Sequence, residues 1–491
     1  MTQQLSFLRS LRQNTFVVLG LITLLGAVLR LFHLDYKPLW LDEAVLYWIS
    51  KGNISDVIIQ NATRNSAPPL FAVLLHLIIQ VGDSESMLRS ISCAAGIAAI
   101  PSMYFLARNF MPRGGAYLCA FVAAISQSQV IYSQQLREYS LSFFVACLLI
   151  AFFVRNIQKP NWKDGAMLSV MSAVAVFCQY GLSLLVFSLA IISLLNLAFN
   201  KEQNSDAKRL LFYQWVVNQL VALIAVFAVY SLSLKFQMQA GGFATSATSN
   251  YLAGAYWDGS PASLFRLVFR NTFRIFSFAY PPIWSLLPLF LLGLAINFKK
   301  RLPLQLLVVP LLCTFIAACL RKYPYDGARQ IMFLLPMIYV FAGLGFTYLL
   351  SQKKGVIFAT IAIAIVGVAG LKRTKDYLMV TGDEDIRPAV RLLTKSVKTD
   401  DVIYVYNGSV SAFSYYYRSP NGHRVYSKAN RLNPQEYAKE VDALLPANRK
   451  IWLIFSHTYG QEREIVLNQL SAKRKVELVM QKKNSWLYVT R

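Results

Sequence analysis

Runs of nearly twenty apolar residues recur along this chain from residue 15 to residue 371. A bilayer core about 30 Å thick takes roughly 20 apolar residues per crossing helix, and in lipid the backbone must satisfy its own polar groups, which leaves the helix as the spanning form. Among 491 residues, 56% are hydrophobic and 15% charged, a balance that suits lipid rather than water as the main solvent. The pattern changes near Asp383. From there to Arg491 the apolar runs shrink and alternate with charged stretches, which predicts a separate soluble domain. The fold class expected is therefore an α-helical polytopic membrane protein, residues 1–375, followed by an α/β domain, residues 383–491.

Twelve apolar segments can be drawn, near 15–34, 68–82, 86–109, 115–133, 139–157, 163–179, 181–199, 209–236, 281–297, 303–321, 329–350 and 355–371. If 68–82 does not cross, the basic clusters Arg108/Arg113, Arg155/Lys159/Lys163, Lys201/Lys208/Arg209, Lys299/Lys300/Arg301 and Lys353/Lys354 all fall on one side. If it crosses, that bias is lost, so the positive-inside rule favours eleven spans plus juxtamembrane helices. The N-terminus is then cytoplasmic, and the loop 35–85, the loop 237–280 and the C-terminal domain are extracytoplasmic. The second loop contains Gly241-Gly242 and a Ser/Thr/Ala stretch that reads as mobile. Its last part repeats Arg266, Arg270 and Arg274 at helical spacing among apolar residues, an interfacial amphipathic helix.

Much of the net charge of +25 sits in short clusters at span ends, where lysine and arginine set orientation and meet lipid headgroups; it does not call for a nucleic-acid partner. All six cysteines lie in apolar runs without paired spacing, against disulfide or zinc frameworks. The first apolar run lacks the small-residue cleavage site of a secretory signal, because Arg30, Phe32 and His33 stand there. In the tail, helices are expected at 386–397, 434–445 and 461–472, with strands at 402–406, 451–455, 475–480 and 485–490.

Chemistry is concentrated in four places on the predicted outer face. Asp42 and Glu43 follow Pro38-Leu39-Trp40-Leu41 just after the first span, where a carboxylate can act as a general base at the membrane surface or simply favour a helix N-terminus. Ala67-Pro68-Pro69 opens the 68–82 segment, and His76 follows on its apolar helix. The segment Tyr132 to Leu141 contains Gln135, Arg137, Glu138 and Tyr139, and Tyr323 to Arg329 ends in another arginine. Arg137 and Arg329 could each bind phosphate through the guanidinium fork, or snorkel or pair with Glu138 and Asp326.

The ordered set of Arg-Leu-x-x-Leu-Asp-x-x-Pro-Leu-Trp-Leu-Asp-Glu-Ala, then Pro-Pro-Leu, Ser-Gln-x-x-Arg-x-Tyr-Ser-Leu and a late arginine opening a span resembles the GT-C membrane glycosyltransferases. It is most similar to the protein O-mannosyltransferase and aminoarabinose-transferase-like branch, glycosyltransferase family 39, over residues 30 to about 340. The resemblance implies Asp42 as catalytic base with Glu43 as its acidic neighbour. Arg137, Tyr139 and Arg329 then form the donor-phosphate cluster, and Pro68, Pro69, His76, Gln135 and Glu138 are site-lining candidates. Relatives commonly carry Glu where this chain has Gln135, and Lys or His where it has Ala67.

The same resemblance implies a glycosyltransferase that moves a sugar from a polyprenyl-phosphate donor to a lipid, glycan or protein acceptor on the extracytoplasmic face, by one inverting displacement. A transporter or flippase of lipid-linked saccharide is the alternative, but the broken, repeated spans typical of that class are not evident. No cofactor is specified. A divalent metal is compatible with this chemistry, although no ligand-spaced cluster marks a place for one.

Overall fold

The computed structural model describes residues 15–199, 204–239, 252–380, 382, 384–429, 433, 435–444 and 449–490. The stretch expected to be mobile at 241–250 lies outside them. The chain packs as two units, Met1–Phe32 with Gly52–Met379, and His33–Lys51 with Val380–Arg491.

The first unit is a helical bundle. Each of the eleven segments expected to cross coincides with a helix, in order Thr15–Leu31, Ser90–Ala107, Arg113–Ile125 with Gln127–Ser133, Tyr139–Gln158, Trp162–Cys178, Tyr180–Phe199, Ser205–Val229, Ile283–Asn297, Arg301–Cys319, Leu335–Ser351 and Gly355–Met379. Among the described residues, seven helices are long and apolar enough to span by themselves, or nine if two bent pairs count as one span each. One pair is Arg113–Ile125 with Gln127–Ser133, bent by 54°; the other is Pro261–Ala279 with Ile283–Asn297, bent by 104°. The 68–82 segment forms Leu70–Ile79, ten residues. At 1.5 Å per residue such a helix reaches about 15 Å, half of a bilayer core.

Local sequence explains the helix starts. Asn161 and Asn204 cap Trp162–Cys178 and Ser205–Val229 by accepting from the backbone N–H of Asp164 (2.9 Å) and Ala207 (2.7 Å). Between Ile283–Asn297 and Leu335–Ser351 the backbones nearly touch: a Cβ at Gly293 would meet the Phe341 carbonyl, and one at Gly345 the Leu289 carbonyl. Small residues at a crossing are how helices approach closely in lipid.

The second unit is built on a five-stranded sheet ordered β2-β1-β3-β5-β4. Its strands are β1 (Val402–Val405), β2 (His423–Tyr426), β3 (Ile451–Ser456), β4 (Val476–Lys482) and β5 (Ser485–Thr490). β1 runs parallel to β2 and β3, while β5 is antiparallel to β3 and β4. Strands β1 and β3 are buried along their whole length, as the continuous apolar runs Val-Ile-Tyr-Val and Ile-Trp-Leu-Ile-Phe require. The tail helices fall at Arg387–Ser396, Gln435–Leu444 and Glu462–Ser471, within two residues of the expected positions. Two elements were not anticipated, the helix Val410–Tyr416 and the edge strand β2.

Residues 33–51 pack with this sheet domain, although the sequence division assigned them to the membrane domain. The Leu39 N–H donates to the Tyr416 hydroxyl (2.7 Å), Trp48 Nε1 donates to the Ser411 carbonyl (3.0 Å), and Arg387 donates to the carbonyls of Asp35 (3.3 Å) and Tyr36 (2.6 Å). Tyr47 meets Tyr415 edge to face, with ring centroids 4.9 Å apart.

Candidate active site

Asp42 and Glu43 occupy the first turn of the helix Leu41–Ser50, which begins at Trp40 without a side-chain cap. Both acids therefore face the orphan N–H end of the helix, where negative charge is favoured. Their environments differ. Glu43 is 1% exposed, whereas Asp42 is half-buried and reachable. Successive helical residues point about 100° apart, so the two carboxyls address different surroundings.

In the bundle, three donor-side candidates come together. Tyr139 starts the helix Tyr139–Gln158, and its ring has the Arg137 guanidinium carbon 5.7 Å and the Arg329 guanidinium carbon 5.5 Å from its centroid. Both lie within the roughly 6 Å reach of a cation–π contact. Two segments far apart in sequence thus present their arginines against one aromatic ring. Arg137 is buried and pairs with Glu138, Nε to Oε2 3.5 Å, and Ser92 Oγ donates to the Arg137 carbonyl at 2.9 Å. The Arg329 segment is held by Tyr323, whose hydroxyl donates to the Gln330 carbonyl at 2.8 Å, and by Gln179 Nε2 on the same oxygen at 3.4 Å. Burial, together with the nearby Tyr139 and Glu138, pushes the Tyr323 phenol well up, so it stays a neutral donor.

Asp326 does not serve Arg329 in the way the sequence suggested. Its carboxylate takes Arg274 Nη1 at 2.9 Å, because the helix Thr272–Ala279 passes so close to Gly327 that a Cβ there would meet the Arg274 carbonyl. Arg266 pairs with Asp258 at 3.7 Å, so two of the three arginines of the amphipathic run serve ion pairs. Hydrogen bonds from Ser263 and Ser260 hold the Asp258 carboxyl well below the usual range.

Pro68 and Pro69 are buried at the entry of Leu70–Ile79, with His76 half-buried further along. This entry is fixed by residues that sequence reasoning missed. The Ala67 carbonyl accepts from Asn61 Nδ2 (2.9 Å) and Gln237 Nε2 (3.3 Å), and Gln237 Oε1 accepts from the Tyr180 hydroxyl (2.7 Å). The available signal was an amide in an apolar stretch, which needs a partner. Gln135, beside Arg137, is half-buried, and its Oε1 has no hydrogen-bond partner among the described residues.

Among the described residues no group of three His, Cys, Asp or Glu could hold a metal ion.

Residues 66–231 match the family model described as dolichyl-phosphate-mannose-protein mannosyltransferase. No curated protein sequence gives a significant match. Solved structures match over nearly the whole chain. ArnT from Cupriavidus metallidurans in the apo state superposes with a TM-score of 0.58 at 13% identity, covering 96% of this chain and 97% of that one. The same protein bound to undecaprenyl phosphate gives 0.60 at 12%, covering 97% and 98%. This chain has the GT-C fold. The GT-C likeness extends to the apo oligosaccharyltransferase of Archaeoglobus fulgidus, with a TM-score of 0.56 at 13% identity over 96% of this chain and 74% of that one. The family model matched is one of glycosyltransferases, and the apolar helices make the protein multi-pass in the membrane.

Proposed function

We propose that this protein transfers a sugar from a polyprenyl-phosphate donor to an acceptor hydroxyl or similar group at the extracytoplasmic membrane face. The observation that carries the donor side is the placement of Arg137 and Arg329 on the ring of Tyr139. Two guanidiniums held by one aromatic ring offer planar forks to a phosphate and stabilise the charge it gains as it leaves. Gln135, with its buried amide oxygen, lies on the same loop to accept from a donor hydroxyl. The likeness to ArnT with undecaprenyl phosphate supports the same donor class.

Asp42 acts as the base. Being half-buried, it can reach an acceptor that the fully buried Glu43 cannot. It takes the acceptor proton as the acceptor attacks the anomeric carbon, the bond to the phosphate oxygen breaks, and the electron pair leaves on the lipid phosphate. One displacement inverts the anomeric configuration. The N-terminus is cytoplasmic and the sheet domain extracytoplasmic, a reading supported by the basic clusters at alternate span ends.

Purified protein in lipid nanodiscs, given isotopically labelled polyprenyl-phosphate sugars and candidate acceptors, should move label from lipid to acceptor with an inverted anomeric centre. Label that stays on the lipid with every acceptor class, or that arrives with retained configuration, would overturn the reading. A reporter fused after Glu85 should lie outside; a cytoplasmic signal there would overturn the orientation.

A further inference from the structure

The helix Thr15–Leu31 contains Arg30, which is 1% exposed in an otherwise apolar segment. Such residues are expensive in a membrane and usually functional. Its donors go to Ser133 Oγ (3.1 Å) and to the carbonyls of Gly26 (3.0 Å), Ala124 (2.8 Å) and Ala123 (2.9 Å). The last two belong to the end of Arg113–Ile125, where the chain bends by 54° and the helix leaves its terminal carbonyls without helical partners. The others at that end are also taken: Val122 by the Ser126 N–H (2.9 Å) and Ile125 by Thr374 Oγ1 (2.8 Å). The exchange is reciprocal. Gln134 Nε2 donates to the carbonyls of Arg30 (3.1 Å) and Phe32 (2.7 Å) at the end of Arg30's own helix.

These bonds converge on the base of one loop. Ser133, which accepts from Arg30, lies 3.2 Å from Ser140 Oγ, so the two ends of the segment 134–139 are drawn together. That segment carries Gln135, Arg137, Glu138 and Tyr139. The slot is also cleared by a missing side chain, since a Cβ on Gly96 would collide with Ser133 Oγ and stand 3.1 Å from Arg30 Nε.

We propose that Arg30 is a positioning residue for the donor site: its guanidinium locks the base of the 134–139 loop and thereby places Arg137 and Tyr139. Lysine cannot replace it, because a single ammonium cannot serve acceptors spread around a planar fork. The proposal rests on the donor-phosphate role proposed for Arg137 and Arg329.

The test uses the full-length protein in nanodiscs, with hydrogen exchange of peptides covering 133–140 and equilibrium binding of undecaprenyl phosphate. Arg30→Lys and Gly96→Ala, which perturb the same slot by different means, should both speed exchange there. Arg30→Lys should also weaken binding about tenfold, and the double variant with Arg137→Ala should bind no more weakly than Arg137→Ala alone, since the effects pass through one residue. Unchanged exchange in both variants overturns the lock. Independent, multiplying effects on binding, or a lowered melting temperature with an unchanged dissociation constant, overturn the positioning role. Wild-type binding by Arg137→Ala would instead overturn the donor reading, and the exchange rates then decide the lock separately.

Discussion

The arginines and the acids proposed for the reaction are held in opposite ways. Arg137 and Arg329 belong to the helical bundle, where buried polar contacts and one aromatic ring hold them. Asp42 and Glu43 sit on a helix tied to the C-terminal sheet domain through Leu39, Trp48 and Tyr47. On the function proposed, donor binding falls to the helical unit and proton removal to the unit containing the C-terminal sheet. The two functions should therefore separate in variants.

The largest separation is expected at Asp42. Asn keeps the shape but cannot take the proton, so steady-state turnover should fall by about 10²-fold or more, while the dissociation constant for undecaprenyl phosphate stays within a small factor of wild type. A parallel loss of donor binding would break the division between the units.

Next come the arginines. Hydrogen bonds to charged groups are worth about 1.5–3 kcal/mol, so Arg137→Ala or Arg329→Ala should weaken lipid-phosphate binding about 10- to 100-fold. Lys should restore it only in part, since charge returns without the fork. Calorimetric titration of each variant would measure this, and unchanged affinity in both Ala variants would remove the pair from the site.

The smallest effect is expected where the acid-bearing helix is tethered. Tyr416→Phe removes the acceptor for the Leu39 N–H, a bond worth about 0.5–1.5 kcal/mol. Turnover should drop by less than about tenfold, in proportion to the bond lost, with donor affinity unchanged. A loss of donor affinity in this variant would sharpen the comparison against us, by showing that the tether also supports the arginine site.

Much of this was legible in the chain. Apolar runs located the bundle helices because lipid demands length and apolarity at once. The strands β1, β3 and β5 were readable because a buried strand leaves a continuous apolar run, and β4 from its apolar residues Val476, Leu478, Val479 and Met480, although none of its residues is buried. β2 left none: three of its four residues, His423, Arg424 and Tyr426, are exposed. The helix Val410–Tyr416 was hidden in a Ser- and Tyr-rich stretch of seven residues. Sequence motifs picked out Arg137, Tyr139 and Arg329, which the fold brings together. They could not show that the segment carrying Asp42 packs with the tail, because its bonds there run through the Leu39 N–H and the Ser411 carbonyl, and backbone groups carry no sequence signature. Arg30 opens the first motif, but its place beneath the 134–139 loop left no trace, because its acceptors are mostly carbonyls. Of the roles left open for Arg329, pairing with Asp326 three residues away is the one the fold passes over, since Arg274 holds that carboxylate.

The most direct test of the central claim is a single-turnover transfer rate, measured with the donor saturating and prebound so that binding cannot limit it. Asp42→Asn should transfer label about 10²-fold more slowly than wild type, while Glu43→Gln retains most of the rate. Full-rate transfer by Asp42→Asn would contradict the account: with Glu43→Gln inactive it would reverse the roles of the two acids, and with both variants active it would leave the reaction without the carboxylate base on which the mechanism depends.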